Sequence, residues 1–175
     1  MAIFCIYCQN NYICTMNANI TISPKMLQVN KVMIDHCEGV NHCISILGRN
    51  LVVEVPRDDC EKTISVLKRH FEDVADIRNA YLMISDLHDF ILVKPMISEA
   101  PLSMVNGIPV PSAEKHLVDL FSDKEYNAFG EAEKVQLAKR DIAIGMLNQS
   151  KIMRYARRKG KKEEMEMIMK RLMPC

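Results

Sequence analysis

The chain has 175 residues, of which 49% are hydrophobic, so it is long enough for one domain with a buried core and short for two. The formal net charge is +1, but residues 151–175 carry nine Lys or Arg against three Glu, which leaves fourteen basic and nineteen acidic residues before them. The last 25 residues therefore have a charge of +6 and residues 1–150 a charge of −5, so the basic segment can meet either an external polyanion or the acidic body.

The cysteines and the hydropathy of the sequence argue against a secreted protein and against a membrane protein. The chain has seven cysteines, but no charged start is followed by an apolar run and a cleavage site of small residues. The apolar opening "MAIFCIYC" is too short to span a membrane. We therefore expect a cytoplasmic protein with reduced thiols and no contact with a membrane.

The first half of the chain alternates predicted strands and helices. "IFCIYC", residues 3–8, predicts a buried strand, and residues 43–56 predict a hairpin that turns at Gly48-Arg49-Asn50 and ends at Pro56. A helix should follow over residues 57–71, with Asp58 or Asp59 as its N-cap.

The next segments are a helix, a strand and a second hairpin. Residues 74–87 are interpreted as a helix because Ala, Leu and Met favour one, although "AYLMI" also suits a strand. "DFILVKPM", residues 89–96, predicts a strand that closes at Pro95. Asn106-Gly107, between two short apolar segments, is typical of a hairpin turn.

Helices dominate from Pro111 onward. Ser112 is placed as the N-cap of a helix, a second helix is expected over residues 130–146, and a third opens at Asn148 or Ser150. Gly160 should separate this third helix from a last one. The apolar stripe of that last helix is Met165, Ile168, Met169 and Leu172. We predict an α+β fold in a single domain, residues 1–175, with a mixed β-sheet and packed helices over 1–110 and a helical layer over 111–175.

Metal binding is the first chemistry that the sequence suggests. In a strand, Cys5 and Cys8 would point to opposite faces, so we favour small buried hydrophobic residues and predict no metal and no cofactor. A metal-dependent enzyme or zinc-binding protein remains the alternative function. Its Cys/His cluster would be Cys5, Cys8, Cys14, His36, Cys37, His42 and Cys43.

No catalytic motif is present, so we expect that the protein is not an enzyme and has no catalytic residues. The sequence contains no Walker A loop, dinucleotide fingerprint or nucleophile elbow. Glu54, Asp58 and Asp59 could form a nuclease centre, but the two aspartates suit a helix start better. Nothing in the sequence brings together the four candidates for Cys/His pairs, which are Cys60, His70, His88 and His116.

The basic segment "NQSKIMRYARRKGKK", residues 148–162, is the strongest functional signal. On a helix, Lys151, Arg154, Arg158 and Lys162 would line one face, while Ile152, Tyr155 and Ala156 would lie on another. Such a face could pack on the acidic body, or it could bind nucleic acid or an acidic partner. The predicted contact surface consists of Lys151, Arg154, Arg157, Arg158, Lys161 and Lys162.

Residues 91–125 and 148–164 resemble bacterial proteins related to the AbiEi antitoxins of type IV toxin–antitoxin systems, which act in abortive infection. The specific parts are "ISEAP", "NGIPVPSAEKHLVDLFSDKE" and "YARRKGKK". The resemblance implies a non-enzymatic antitoxin and transcriptional regulator that neutralises a nucleotidyltransferase-like toxin and has DNA as a second partner.

The chain departs from that family in its first third. Relatives usually read their operator with an N-terminal winged helix, whereas this sequence begins almost directly with "IFCIYC". Residues 9–41 also lack a counterpart in the family. We therefore expect a C-terminal domain without the winged helix, from a truncated gene product or a stand-alone module.

Overall fold

The computed structural model describes residues 22–79, 89–144 and 147–173, which fall into two compact units. Unit 1 contains the described residues up to Met96 together with Met104–Val110, and unit 2 contains Ile97–Ser103 and the chain from Pro111 onward. The fold class is α+β, as predicted, with sheets of mixed strand orientation and a C-terminal helical layer. The single domain that the sequence suggests stays a prediction, and the predicted strand at residues 3–8 lies outside the described residues.

Unit 1 is built on a four-stranded sheet with the order β1-β2-β4-β3. β1 pairs antiparallel with β2, and β2, β4 and β3 run parallel to one another. In chain order, the elements of this unit are α1 (Pro24–His36), β1 (Cys43–Leu47), β2 (Asn50–Val55), α2 (Cys60–Leu67), β3 (Val74–Asp76) and β4 (Ile91–Pro95).

The centre of this sheet is apolar because its strands are covered. Every residue of β2 is buried, as are Ile91, Leu92 and Val93 of β4. Strands that are buried on both faces carry continuous apolar runs rather than alternating ones, and here these runs are residues 51–53 of β2 and 91–93 of β4. The hairpin of β1 and β2 and the strand that ends at Pro95 confirm two predictions from the sequence.

The two helices of unit 1 add the remaining core side chains. α1 begins at Pro24, where the Ser23 hydroxyl accepts a hydrogen bond from the Met26 amide, and it buries Met26, Val29 and Met33. α1 packs against α2, and α2 packs against β3 and β4. The spacing of three and four residues along α1 is what a one-sided helix requires.

The helix predicted over residues 74–87 is wrong where the structure describes it. Residues 74–76 form β3, and residues 77–79 form a turn. The Ile91 amide donates to the Asp73 carbonyl at 2.8 Å and the Ile77 amide donates to the Val93 carbonyl at 3.0 Å, so pairing with β4 overrides the local preference for helix. The rest of the predicted helix, from residue 80, lies outside the described residues.

The helix predicted over residues 57–71 is present but shorter. Arg57–Asp59 form a 3₁₀ turn, and α2 ends at Leu67, so Phe71 lies beyond it. Asp59 occupies the N-cap position without a side-chain capping hydrogen bond, because its backbone is already helical in conformation. The role of Asp58 or Asp59 as a capping side chain is therefore a prediction that the structure corrects.

A second hairpin is formed by β5 (Leu102–Val105) and β6 (Ile108–Pro111). Asn106 has a φ of 50° and Gly107 a φ of 78°, so both central residues of the turn have positive φ. This is the turn that Asn-Gly favours between antiparallel strands, and the predicted hairpin is confirmed.

Unit 2 is built around α3, whose residues 113–120 are all buried. Ser112 caps this helix by accepting a hydrogen bond from the Lys115 amide, as predicted. α3 packs against α4 and α5, and α6 packs against the same two helices. The helices of this unit are α3 (Ala113–Ser122), α4 (Glu131–Ile144), α5 (Gln149–Arg158) and α6 (Lys162–Leu172), with a 3₁₀ turn at Lys124–Ala128.

Gly160 separates α5 from α6, as the sequence predicts. Its φ is 69°, and its amide donates to the Arg157 carbonyl while the Lys161 amide donates to the Ala156 carbonyl. These two bonds form a Schellman motif, which satisfies the last carbonyl groups of α5 and needs a left-handed residue at Gly160.

Replacing Gly160 should therefore show which backbone conformation this position requires. Because a side chain at this φ is strained, we expect Gly160→Ala to lower the free energy of unfolding by about 1 kcal/mol. Gly160→Asn should cost less, since Asn tolerates positive φ. Urea denaturation followed by circular dichroism measures both. Equal losses in the two variants would contradict the role given to φ.

Candidate functional site on the basic helix

α5 carries the predicted basic surface and has two distinct faces. Its N-cap is Asn148, whose side chain accepts a hydrogen bond from the Lys151 amide at 3.1 Å. Ile152, Tyr155 and Ala156 are buried, so the apolar face that the sequence predicts is confirmed. The exposed residues of the basic set on this helix are Lys151, Arg154, Arg157 and Arg158.

The exposed cations of α5 differ in what they contact. Among the described residues, the side chains of Lys151, Arg154 and Arg157 take part in no ion pair, whereas Arg158 pairs with Glu99. On a helix with 3.6 residues per turn, the four positions fall within about 120° of the circumference and span about 10 Å along the axis. They form what we call the basic face: Lys151, Arg154, Arg157 and Arg158.

Lys161 and Lys162 do not belong to this face. Lys161 lies between the two helices and pairs with Glu164 at 2.7 Å, while Lys162 is the first residue of α6 and pairs with Glu166 at 3.4 Å. The predicted stripe through Lys151, Arg154, Arg158 and Lys162 on one helix is therefore wrong, because α5 ends before Gly160.

Lys159, which lies within the same basic run, points the other way. Its side chain is only 10% exposed, and its Nζ donates to Asp119 Oδ1 at 2.6 Å and to Asp123. Sequence reasoning missed this role. The signal was available, because residue 159 follows Ile152 and Tyr155 by seven and four positions and so continues the buried face.

Asp119 of α3 joins α3 to α5. Its carboxylate accepts hydrogen bonds from Lys115 Nζ at 2.5 Å and from the Tyr155 hydroxyl at 3.0 Å, in addition to the one from Lys159. Lys115 has no exposed surface, and the Nζ atoms of Lys115 and Lys159 lie 5.7 and 5.5 Å from the Tyr155 ring centroid. The aromatic ring therefore stabilises both buried cations.

A second buried carboxylate fixes the start of α5. Glu114 accepts a hydrogen bond from the Ser112 hydroxyl at 2.7 Å and one from the Asn148 amide at 3.3 Å. Burial alone would raise the pKa of Glu114, but these hydrogen bonds, one from its own amide, and the charge of Lys151 together lower that pKa. Glu114 thus stays ionised beside the N-terminus of α5, where the helix dipole favours negative charge.

The described part of the predicted Cys/His cluster is dispersed. Cys37 and Cys43 are buried and are not in disulfide bonds, His36 stacks on His70 with ring centroids 4.8 Å apart, and His42 hydrogen-bonds to Asn30 at 2.8 Å. Within residues 22–79, 89–144 and 147–173, no three His, Cys, Asp or Glu side chains are placed to hold a metal ion. Cys5, Cys8 and Cys14 lie outside these ranges.

The candidate catalytic side chains occupy structural positions. Burial raises the pKa of the Cys60 thiol, which keeps it in its less nucleophilic protonated form. His116 is buried on α3 and makes an edge-on contact with Tyr126, with ring centroids 5.9 Å apart. His88 lies outside the described residues.

The three carboxylates of the possible nuclease centre belong to different structural elements. Glu54 is buried on β2, opposite Lys94 of the parallel strand β4. Asp58 and Asp59 belong to the 3₁₀ turn that follows β2. They do not form a metal-holding group with Glu54 among the described residues.

The basic face is therefore a candidate surface for binding an anion. The chain belongs to DUF6577, a family of unknown function whose sequence profile matches residues 20–174. No curated protein and no solved structure matches the chain. Across the described part of the chain, the helices are too short or too polar to cross a membrane.

The two roles of the basic run can be separated by substitution. We expect Lys159→Met to lower the free energy of unfolding by about 3 kcal/mol, because it removes one partner of a buried ion pair. Arg157→Gln should change it by less than about 0.5 kcal/mol, since Arg157 is exposed and has no ion pair among the described residues. Chemical denaturation of both variants checks this difference, and equal effects would contradict it.

Proposed function

We propose that this protein is a non-enzymatic binding module of the antitoxin or transcriptional-regulator type in the bacterial cytoplasm. It neutralises a nucleotidyltransferase-like toxin and contacts DNA through the basic face of α5. The observation that carries the proposal is that Lys151, Arg154 and Arg157 are exposed on one helix and have no ion pair among the described residues. Charged side chains on a surface that merely packs on an acidic body would be paired with it.

The geometry of α5 favours contact with the DNA backbone rather than with the bases. A recognition helix that enters the major groove exposes much of its circumference to base edges and phosphates. α5 buries Ile152, Tyr155 and Ala156 against its own unit, so only the basic face is available. Binding should therefore depend on charge and salt and show little dependence on DNA sequence.

Arginine-rich composition also supports a phosphate or carboxylate partner. Three of the four residues of the basic face are arginines, and the guanidinium group binds such anions through two parallel hydrogen bonds. The same guanidinium groups can bind carboxylates on an acidic protein surface. The basic face would bind a toxin through such contacts.

The antitoxin part of the proposal rests on the resemblance of residues 91–125 and 148–164 to AbiEi-related proteins. In the structure, residues 111–125 of the first segment lie in unit 2 with the second segment. Glu114 and Asp119 of the first segment hydrogen-bond to Asn148, Tyr155 and Lys159 of the second. This supports treating residues 111–125 and 148–164 as parts of one folded unit rather than as two unrelated matches.

DNA binding is tested with a fluorescently labelled duplex across a salt series. The wild-type affinity should fall by about 0.9 log unit per log unit of salt for each phosphate contacted. Arg154→Glu/Arg157→Glu should bind about tenfold more weakly or worse, because it replaces two attractive contacts by repulsive ones.

The matched control for this test is Lys139→Glu/Arg140→Glu on α4. Both residues are exposed, and the variant makes the same change in net charge away from the basic face. Equal weakening in the two double variants would mean that only total charge matters. An absence of wild-type binding at low salt would rule out the DNA part of the proposal.

Toxin neutralisation is tested separately by co-expression with a nucleotidyltransferase-like protein encoded beside the gene for this chain. We expect the chain to restore growth and to co-purify with that protein, because an antitoxin of this type acts on its neighbour's product. Loss of rescue in Arg154→Glu/Arg157→Glu, but not in the α4 control, would place the contact on the basic face. If no such gene is adjacent, or if growth is not restored, the antitoxin part is wrong whatever the DNA result.

A further inference from the structure

One residue of the basic face, Arg158, already holds an anion from its own chain. Its Nη2 donates to the Glu99 carboxylate, and its Nη1 donates to the carbonyl oxygens of Glu99 at 3.2 Å and Ser98 at 3.5 Å. All of these residues belong to unit 2. The contact links α5 to a loop about 60 residues earlier in the chain.

The two kinds of bond play different parts. The backbone carbonyls are fixed by the course of the loop and orient the guanidinium group. The carboxylate of Glu99 is on a side chain that is 73% exposed, so solvent and ions have access to it. Glu99 also has a φ of 52°, an uncommon conformation for a residue other than Gly, Asn or Asp, and it therefore places its carboxylate at some conformational cost.

A carboxylate and a phosphate are alternative partners for the same planar donor group. Arg158 follows Arg154 by one helical turn and lies between Lys151 and Arg154 in angle around α5. It therefore lies at the C-terminal end of the basic face, one turn from Arg154, where a phosphate that contacts Arg154 would also come within reach.

We propose that Glu99 occupies a phosphate position at Arg158 in the unbound protein and is displaced when nucleic acid binds to the basic face. This inference rests on the proposed DNA contact of α5. Glu99 thereby lowers the affinity of Arg158 for phosphate. An exposed ion pair of this kind corresponds to at most about a fivefold change in an equilibrium constant.

The test measures binding of a labelled DNA duplex at fixed low salt. Glu99→Gln should raise the affinity about three- to fivefold in the wild-type background. In the Arg158→Gln background, the same substitution should change the affinity by less than about 1.5-fold, because the group released by Glu99 is no longer present. Glu99→Asn is a second variant, since Asn has a shorter, uncharged side chain and tolerates the positive φ.

Glu163→Gln is the matched control for net charge. Glu163 is exposed in the first turn of α6 and has no ion pair among the described residues. If this control raises the affinity as much as Glu99→Gln does, the effect is one of total charge and the displacement at Arg158 is wrong.

The remaining outcomes separate this inference from the proposed function. A lower affinity and a lower melting temperature in both Glu99 variants would mean that the pair only holds the loop, which overturns the inference while the wild type still binds DNA. No binding by the wild type or by any Glu99 variant would overturn the DNA contact and the inference together.

Discussion

The arrangement of α5 depends on one carboxylate, that of Asp119. It accepts hydrogen bonds from Lys115, Tyr155 and Lys159, and so ties the helix in the centre of unit 2 to the helix that carries the basic face. A buried carboxylate without such partners would be neutralised or would destabilise the fold. Because the partners on α5 are Tyr155 and Lys159, the rotation of α5 about its axis is fixed, and the arginines of the opposite side are held outward as a consequence.

Because α5 is held in this orientation, the basic residues of the segment 148–162 have different contacts, which the composition of the segment does not show. Lys159 pairs with Asp119 and Asp123, and Lys161 and Lys162 pair with acids of α6. On the outward side of α5, Arg158 pairs with Glu99, whereas Lys151, Arg154 and Arg157 form no ion pair among the described residues. Net charge over the segment therefore overstates the charge available for binding. The choice of Lys at position 159 also fits its setting, since a compact ammonium group can pair with two carboxylates while it lies 5.5 Å from the Tyr155 ring centroid.

Local patterns in the sequence predicted most of the elements, because turns and helix ends depend on nearby residues. Asn106-Gly107, Ser112, Asn148 and Gly160 each act through their own backbone or through an amide within three residues. Local patterns did not predict the features that depend on long-range contacts. β3 forms because it pairs with β4. The partners of Lys159, which are Asp123 and Asp119, lie 36 and 40 residues earlier in the chain, so a local pattern does not reveal them. For Lys159, helical periodicity held enough information to predict the face, but not the identity of the partner.

Rigidity of the basic face has a consequence for recognition. A helix whose backbone is held by a buried ion-pair network loses little backbone freedom when it binds, which lowers one of the costs of binding. The same locking prevents the helix from rotating to offer other side chains, which limits it to reading the position of charges and not the sequence of bases. Specificity for an operator would then need a second element, whereas recognition of an acidic protein surface would need only the fixed spacing of Lys151, Arg154 and Arg157. The geometry of α5 therefore suits an acidic protein surface at least as well as it suits DNA. Arg158 already donates a hydrogen bond to the Glu99 carboxylate, which is the kind of contact that an acidic protein would make.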